Sequence, residues 1–302
     1  MSSSIKRKII IVAIIIAVLL IAVFYRPIEA ALKTNGILRA QLSGDYLAVL
    51  DVGEADAILV QSGGKIALID TGNINDAGNA LAAKLKRAGV EKIDSLVLTH
   101  IHTDHAGGLY SILSQFDIGC FYYTTLFGED DSTDYYFSQI RKLIRDNGID
   151  TEIIKEDMTF GTGKFDFDVL SCGLEGSDGD EVNDASVVLK AECKDVSFLL
   201  MADAGEYTER YIMNKYENNL KCDVLKVGHH GSSTSSCSPF LKAAAPRYAA
   251  ISCGDYNFYG HPSEEAVKRL ADNGADILRT DIVSDIYFYI EDNPKLTVKT
   301  EK

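Results

Sequence analysis

Four potential metal ligands fall within six residues of this chain: His100, His102, Asp104 and His105. They follow Ser95–Thr99, a brief apolar run rich in β-favouring residues that predicts a short buried strand. In extended chain, positions i and i+2 point the same way, so His100 and His102 can grip one ion together. Asp104 and His105 fall where the strand gives way to a helix, and so face a neighbouring point in space. Gly107 and Gly108 permit close backbone approach there. Leu109, Ile112, Leu113 and Phe116 then repeat at helical spacing and would bury that helix. A lone H-x-H on a strand is usually ordinary surface or core, but four ligand-type residues at one strand end point to a metal site. Imidazole and carboxylate suit zinc, or manganese or iron where oxygen predominates.

The six histidines of the chain occupy three places: this segment, His229–His230 in G-H-H-G-S, and His261 in Y-G-H-P. Each follows a predicted strand, so the three clusters can converge at one edge of a two-sheet fold. Asp203 ends the apolar run F-L-L-M-A. It suits a helix N-cap or a ligand, and the two roles are compatible. Asn183 in N-D-A-S reads as a turn residue beside Asp184. Tyr122, Tyr123, Tyr135, Tyr136 and Phe137 could wall a site for a base or a quaternary amine, but core packing is the plainer expectation.

These residues need elements to hold them. Tyr46–Val52, Ala57–Gln61 and Lys65–Asp70 read as strands divided by glycine-containing turns, and Asn75–Ala88 as an amphipathic helix. Thr133–Asn147 is a second such helix, stopped by Gly148. Further strands are expected at Lys164–Leu170, Ala185–Cys193, Val196–Met201, Asp223–Val227 and Tyr248–Ser252. Helices are expected near Glu206–Tyr216 and Ser263–Asn273, followed by a closing hairpin. Strand groups flanked by helices in both halves imply an α/β chain with two packed sheets covered outside by helices.

The chain has 302 residues, 46% of them hydrophobic, enough for one large core. Its net charge of −14 argues against stable coating of nucleic acid, which would need a basic face. Six cysteines without a C-x-x-C pair are expected to be free and mostly buried rather than bridged. Lys6, Arg7 and Lys8 precede an apolar run from Ile9 to Tyr25, closed by Arg26 and Pro27. That run predicts an uncleaved transmembrane anchor, favoured over a signal peptide cut near Ala30 because a signal core is shorter. The expected layout is a cytoplasmic basic tail (1–8), an anchor (9–25), a linker (26–44) and one domain (45–302). By the charge bias of the flanks, that domain would lie outside the cytoplasmic membrane.

H-x-H-x-D-H resembles the metal-binding motif of the metallo-β-lactamase superfamily. The ordered segments D-V-G-E-A-D-A-I-L-V, A-L-I-D-T-G, N-D-A-S-V-V-L, V-L-K-V-G-H-H-G-S and Y-G-H-P sharpen the resemblance. Together they look like the C-terminal metallo-β-lactamase-like domain of the ComEC DNA-uptake family, over about Asp45 to Thr300. The resemblance implies a four-layer αββα sandwich and two divalent metal ions, zinc or alternatively manganese. It implies hydrolysis of phosphodiesters, whether DNA, nucleotide or envelope phosphodiester. Carried over residue by residue, His100 and His102 would hold the first metal, Asp104 and His105 the second, and Asp203 would bridge. His229 would complete the second metal's shell, and Asn183 stands where many relatives place a further first-metal histidine. Asp104, His230 and His261 would be the catalytic groups, orienting water, contacting phosphate or protonating the leaving oxygen. The chain departs from the family at Glu54 and Ala55 of G-E-A-D, and at Ala202, where T-G-D becomes M-A-D. The family's channel region is not matched, so DNA import is not expected. Two alternatives are a lactonase or thioesterase using the same site, and an inactive envelope interaction module.

Overall fold

The computed structural model describes residues 44–74, 76–124, 135–175, 181–255, 258–293 and 295–301. The first sheet has eight strands in the order β15-β14-β1-β2-β3-β4-β5-β6. These are β1 (Asp45–Val49), β2 (Ile58–Ser62), β3 (Lys65–Ile69), β4 (Lys92–Val97), β5 (Asp117–Tyr123), β6 (Asp150–Ile153), β14 (Ile286–Ile290) and β15 (Leu296–Thr300). The second has seven, in the order β13-β12-β11-β10-β9-β8-β7. They are β7 (Thr159–Thr162), β8 (Phe165–Ser171), β9 (Val188–Cys193), β10 (Val196–Leu200), β11 (Val224–Lys226), β12 (Tyr248–Ile251) and β13 (Asp276–Arg279).

Strand alternation decides what faces what. Leu47, Val49, Ile58 and Val60 of the first sheet share one buried cluster with Phe165, Phe167, Phe198 and Leu200 of the second. The intervening residues Leu199, Leu225 and Ala249 point the other way. They pack in a second cluster with Ile212 of helix α5 (Glu206–Tyr216), Phe240 of α6 (Ser238–Ala244) and Leu270 of α7 (Glu264–Asp272). On the first sheet, β3 to β6 run parallel, so each link between them must cross a sheet face. Helices α1 (Asp76–Ala88), α2 (Thr103–Ala106), α3 (Leu109–Gln115) and α4 (Tyr135–Asn147) make those crossings. Leu81 and Leu85 of α1 and Ile112 of α3 are buried beneath them. The expected αββα sandwich is therefore present.

The membrane expectation is corrected. Among the described residues no helix is long and apolar enough to cross a membrane. The longest of them, α1 and α4, have 13 residues, about 20 Å at 1.5 Å per residue against a hydrocarbon core of about 30 Å. A single-pass cell-membrane protein with an extracytoplasmic catalytic domain is not supported. The run from Ile9 to Tyr25 that prompted it lies outside the described residues. All six cysteines are free, four of them buried.

Candidate metal centre

Several of the ligand-type residues lie just past strand ends. His100 and His102 follow β4, Asp203 follows β10, and His229–His230 follow β11. Strand pairing brings these ends to one edge, because β10 and β11 are parallel neighbours. His100 and His102 are thus on irregular chain beyond the strand end. Asp104 and His105 lie in α2, in the helix expected of them.

Three histidines have one ring nitrogen tied back, which leaves the other aimed inward. His105 Nδ1 lies 2.7 Å from Asp70 Oδ2. Asp70 is itself fixed by the Thr99 backbone N–H (2.9 Å) and hydroxyl (2.7 Å). His230 Nδ1 donates to the Ser252 carbonyl at 3.0 Å, and His100 Nδ1 sits 3.2 Å from Thr99 Oγ1. Such outer partners fix the tautomer and orientation of a metal-ligating imidazole.

The inward atoms meet at Asp203, which is 2% exposed. Its Oδ1 lies 3.1 Å from His105 Nε2 and 3.5 Å from His230 Nε2. Its Oδ2 lies 3.8 Å from His100 Nε2 and 4.0 Å from His229 Nε2. Asp104 Oδ2 is 3.3 Å from His230 Nε2 and 4.0 Å from His105 Nε2. Two groups of donor atoms result, each within 4.8 Å of one another: Asp104, His105, Asp203 and His230, and His100, His102 and Asp203. The buried Nε2 atoms of His100, His105 and His230 and Oδ1 of Asp203 complete no hydrogen bond. Leaving four such atoms unpaired is costly unless something binds them. Two donors on one zinc, each at ~2.0–2.1 Å, lie no more than about 4.2 Å apart. The distances from the imidazoles to Asp203 and Asp104 all fall inside that limit, so the residues fit a pair of divalent ions.

A third group, Asp56, Asp70 and His105, is within the same reach. Asp70 is already engaged with His105. Asp56 Oδ2 lies 2.8 Å from the ammonium of Lys226, and both are fully buried. That cation supplies the charge an ion would bring.

Electrostatics follow the same geometry in the metal-free protein. Burial would lower His230, but Asp203 and Asp104 hold it up at about 9. His105 is likewise kept well above its ordinary value by Asp203 and Asp70, against burial. His100, buried and next to His105, is pushed well below. Burial would raise Asp104, yet His230 holds it at about 2.

The donors open onto a cleft of about 380 Å³, within the usual range for small-ligand sites. His102, Asp104, His229 and His261 line it, with Asn183, Glu54 and Tyr259. Asn183 Nδ2 lies 3.4 Å from His229 Nε2, and the His229 and His261 rings are 5.5 Å apart. Sequence reasoning placed His229 in the second cluster; the structure brings His230 there and turns His229 toward Asn183 and His261. The backing residues Asp70 and Lys226 were missed as such, although both sit in the recognisable segments I-D-T-G and V-L-K-V-G-H-H-G-S. Glu54 accepts the Gly254 N–H at 2.8 Å and is raised by burial. The aromatic cluster does not line this cleft. Tyr122 stacks on Phe160, and the Tyr136 hydroxyl bonds the carbonyls of α2 and its cap at Ala106 and Gly107.

Known proteins share this architecture. The metallo-beta-lactamase superfamily profile matches residues 50–255. The chain is similar to Competence protein ComA of Neisseria gonorrhoeae, 30% identical over 274 residues, covering 90% of this chain and 35% of that protein. It is also similar to ComE operon protein 3 of Bacillus subtilis, 28% identical over 294 residues, covering 88% and 37%. It therefore spans only roughly a third of the length of these relatives. Among solved structures, Igni18, a metallo hydrolase from Ignicoccus hospitalis, superposes with a TM-score of 0.52 at 13% identity, covering 82% of this chain and 100% of that one. Zn(2+)-bound PqqB from Methylobacterium extorquens gives 0.52 at 12% identity, covering 77% and 97%. At such identity the likeness is one of fold alone. On the match across residues 50–255, the chain belongs to the metallo-beta-lactamase superfamily.

Proposed function

We propose that residues 45–302 form a two-metal hydrolase that cleaves phosphodiesters, nucleic acid or nucleotide being the favoured substrate class. The observation that carries this reading is Asp203, whose two oxygens each face a different group of buried, unpaired imidazoles. One ion would be held by His100, His102 and Asp203, the other by Asp104, His105, Asp203 and His230. Bound there, two divalent ions, zinc or manganese, would supply Lewis acidity, activating water near neutral pH and offsetting phosphoryl charge. Similarity to Competence protein ComA, together with the resemblance of the sequence to the DNA-uptake family, favours a phosphodiester over an acyl substrate.

The chain's own groups have separate tasks. Asp104 is 27% exposed in its side chain and keeps a carboxylate edge toward the cleft. It orients the attacking water and can take its proton. His230 has one nitrogen on Ser252 and the other in the donor cluster, so it holds a ligand position rather than touching substrate. His261, on the cleft wall, is lowered by burial and by His229 and is neutral near pH 7. It is placed to hydrogen-bond a phosphoryl oxygen or the leaving group. His261→Ala is expected to slow turnover by about 10²-fold while leaving metal content unchanged. Metal loss would make it a ligand, and unchanged turnover would remove it from the chemistry.

The full chain, loaded with zinc or manganese, is to be assayed on bis-nitrophenyl phosphate, short oligonucleotides, a lactone and a thioester. Turnover of the phosphodiesters above the acyl substrates is expected. Acyl turnover alone would overturn the phosphodiester reading.

A further inference from the structure

Folding hides most large apolar side chains, yet Phe258 and Tyr259 stay out, at 105% and 79% exposure. They are the two most exposed large hydrophobic residues among those described, and they are adjacent. Tyr259 lines the metal-centre cleft together with His261. A single exposed aromatic needs no explanation, but two neighbours beside a cleft of buried donors point to a partner for their faces. The segment that carries them is tied to the site at both ends. On one side the Gly254 N–H donates to Glu54 at 2.8 Å, and a Cβ on Gly254 would lie 2.8 Å from the Glu54 backbone nitrogen. On the other, the Ser263 N–H donates to the Gly231 carbonyl at 2.9 Å, and a Cβ on Gly231 would lie 2.6 Å from Pro262 Cβ. These close contacts hold the two ends beside Glu54 and the His229–His230 turn.

Ring geometry gives the pair a direction. The Tyr259 ring lies nearly parallel to the His261 imidazole, at 16° with centroids 6.0 Å apart. The His261 ring in turn lies 5.5 Å from that of His229. A flat group laid on the outer face of Tyr259 would extend this series of rings outward from the cleft. The charge of the cleft says which flat group suits it. Its lining includes Glu54, Asp104 and Asp203 but, among the described residues, no lysine or arginine. A phosphate gains no protein cation there, so discrimination among phosphodiesters falls to what the phosphate carries. An aromatic face holds a nucleobase by stacking, with little regard to which base it is and without charge. We propose that Phe258 and Tyr259 form a stacking platform for the nucleobase next to the phosphate in the cleft. The recognised unit is then a nucleotide rather than a sugar or polyol phosphodiester. This rests on the phosphodiester reading above, and the test avoids turnover so that the two can fail separately.

The full chain loaded with zinc is titrated by calorimetry with adenosine 5′-monophosphate and with 1-O-methylribose 5-phosphate. The second ligand keeps the sugar and phosphate and lacks the base. The nucleotide is expected to bind about tenfold more tightly. Phe258→Ala and Tyr259→Leu should each reduce that preference about fivefold, and together they should abolish it. Tyr259→Phe, which keeps the ring, should retain it. Stacking is not a charge interaction, so the preference should survive high salt. Equal affinity for the two ligands in the wild type would overturn the platform. So would an undiminished preference when Phe258→Ala and Tyr259→Leu are combined, or a preference lost in high salt. A base preference that depends on both rings, in a protein that cleaves no phosphodiester, would count against the proposed function alone.

Discussion

At the residue scale, the candidate centre is a set of imidazoles whose outward nitrogens are already spent. In the metal-free protein His105 stands well above its ordinary pKa and His230 at about 9, because carboxylates outweigh burial. His230 is therefore protonated at pH 7, and a metal accepts only the neutral ring. Zinc uptake at pH 7 should release at least the proton of that ring. Calorimetry in buffers of different ionisation enthalpy reads this directly, and buffer-independent heat would contradict it. The linkage sign for the metal-free fold is the opposite of a carboxylate's. Stability from the raised His230 is full below about 6.5, the unfolded value, and is lost as pH rises through about 9. Ala202 offers a second test. It is left-handed at φ +47°, immediately before Asp203. Ala202→Gly should stabilise the protein by about 0.5–1 kcal/mol, the relief of strain exceeding the entropy glycine adds to the unfolded chain. Equilibrium denaturation measures it, and a destabilised variant would show the strain to be absent.

At the element scale, the site is assembled by strand ends, and one buried pair ties the two sheets behind it. Lys226 on β11 meets Asp56, in the loop between β1 and β2, at 2.8 Å, with both side chains shielded from solvent. Lys226→Met leaves that carboxylate buried without its cation and should cost about 3–5 kcal/mol. Adding Asp56→Asn should recover much of it, whereas additive losses would mean that the two do not act as a pair. The strands that carry this framework were legible wherever one face is apolar: β1, β2, β3, β8, β9, β10, β11 and β12 all fall inside or against the predicted runs. Those missed have weaker signals. β6 is exposed at all four positions, β13 has no fully buried residue, and β7 is four residues long with Phe160 its one large apolar side chain, so the apolar signal is thin. β5 contains Gly119, whose absent Cβ lets the chain approach the Asp94 carbonyl; the glycine breaks the β-rich run. Most ligand candidates could be read from H-x-H-x-D-H, G-H-H-G-S and the acid after F-L-L-M-A. The directions of the two doublet rings could not, because they depend on two left-handed residues that spacing rules do not foresee.

At the scale of the molecule, two sheets enclose one apolar cluster, and the polar donors are confined to one edge of it. A net charge of −14 gives an anionic substrate no general attraction. On the proposed function, recruitment of phosphate would come from cations held at that edge, and activity would be inseparable from metal. The most direct measurement is the rate of hydrolysis of a nitrophenyl phosphodiester by the chelator-stripped full chain as zinc or manganese is added by the equivalent. No turnover is expected without metal, followed by a rise that reaches its plateau only as the second equivalent binds. Full turnover in the stripped protein, or none at any metal content in protein that has taken up two equivalents, would contradict a two-metal phosphodiesterase.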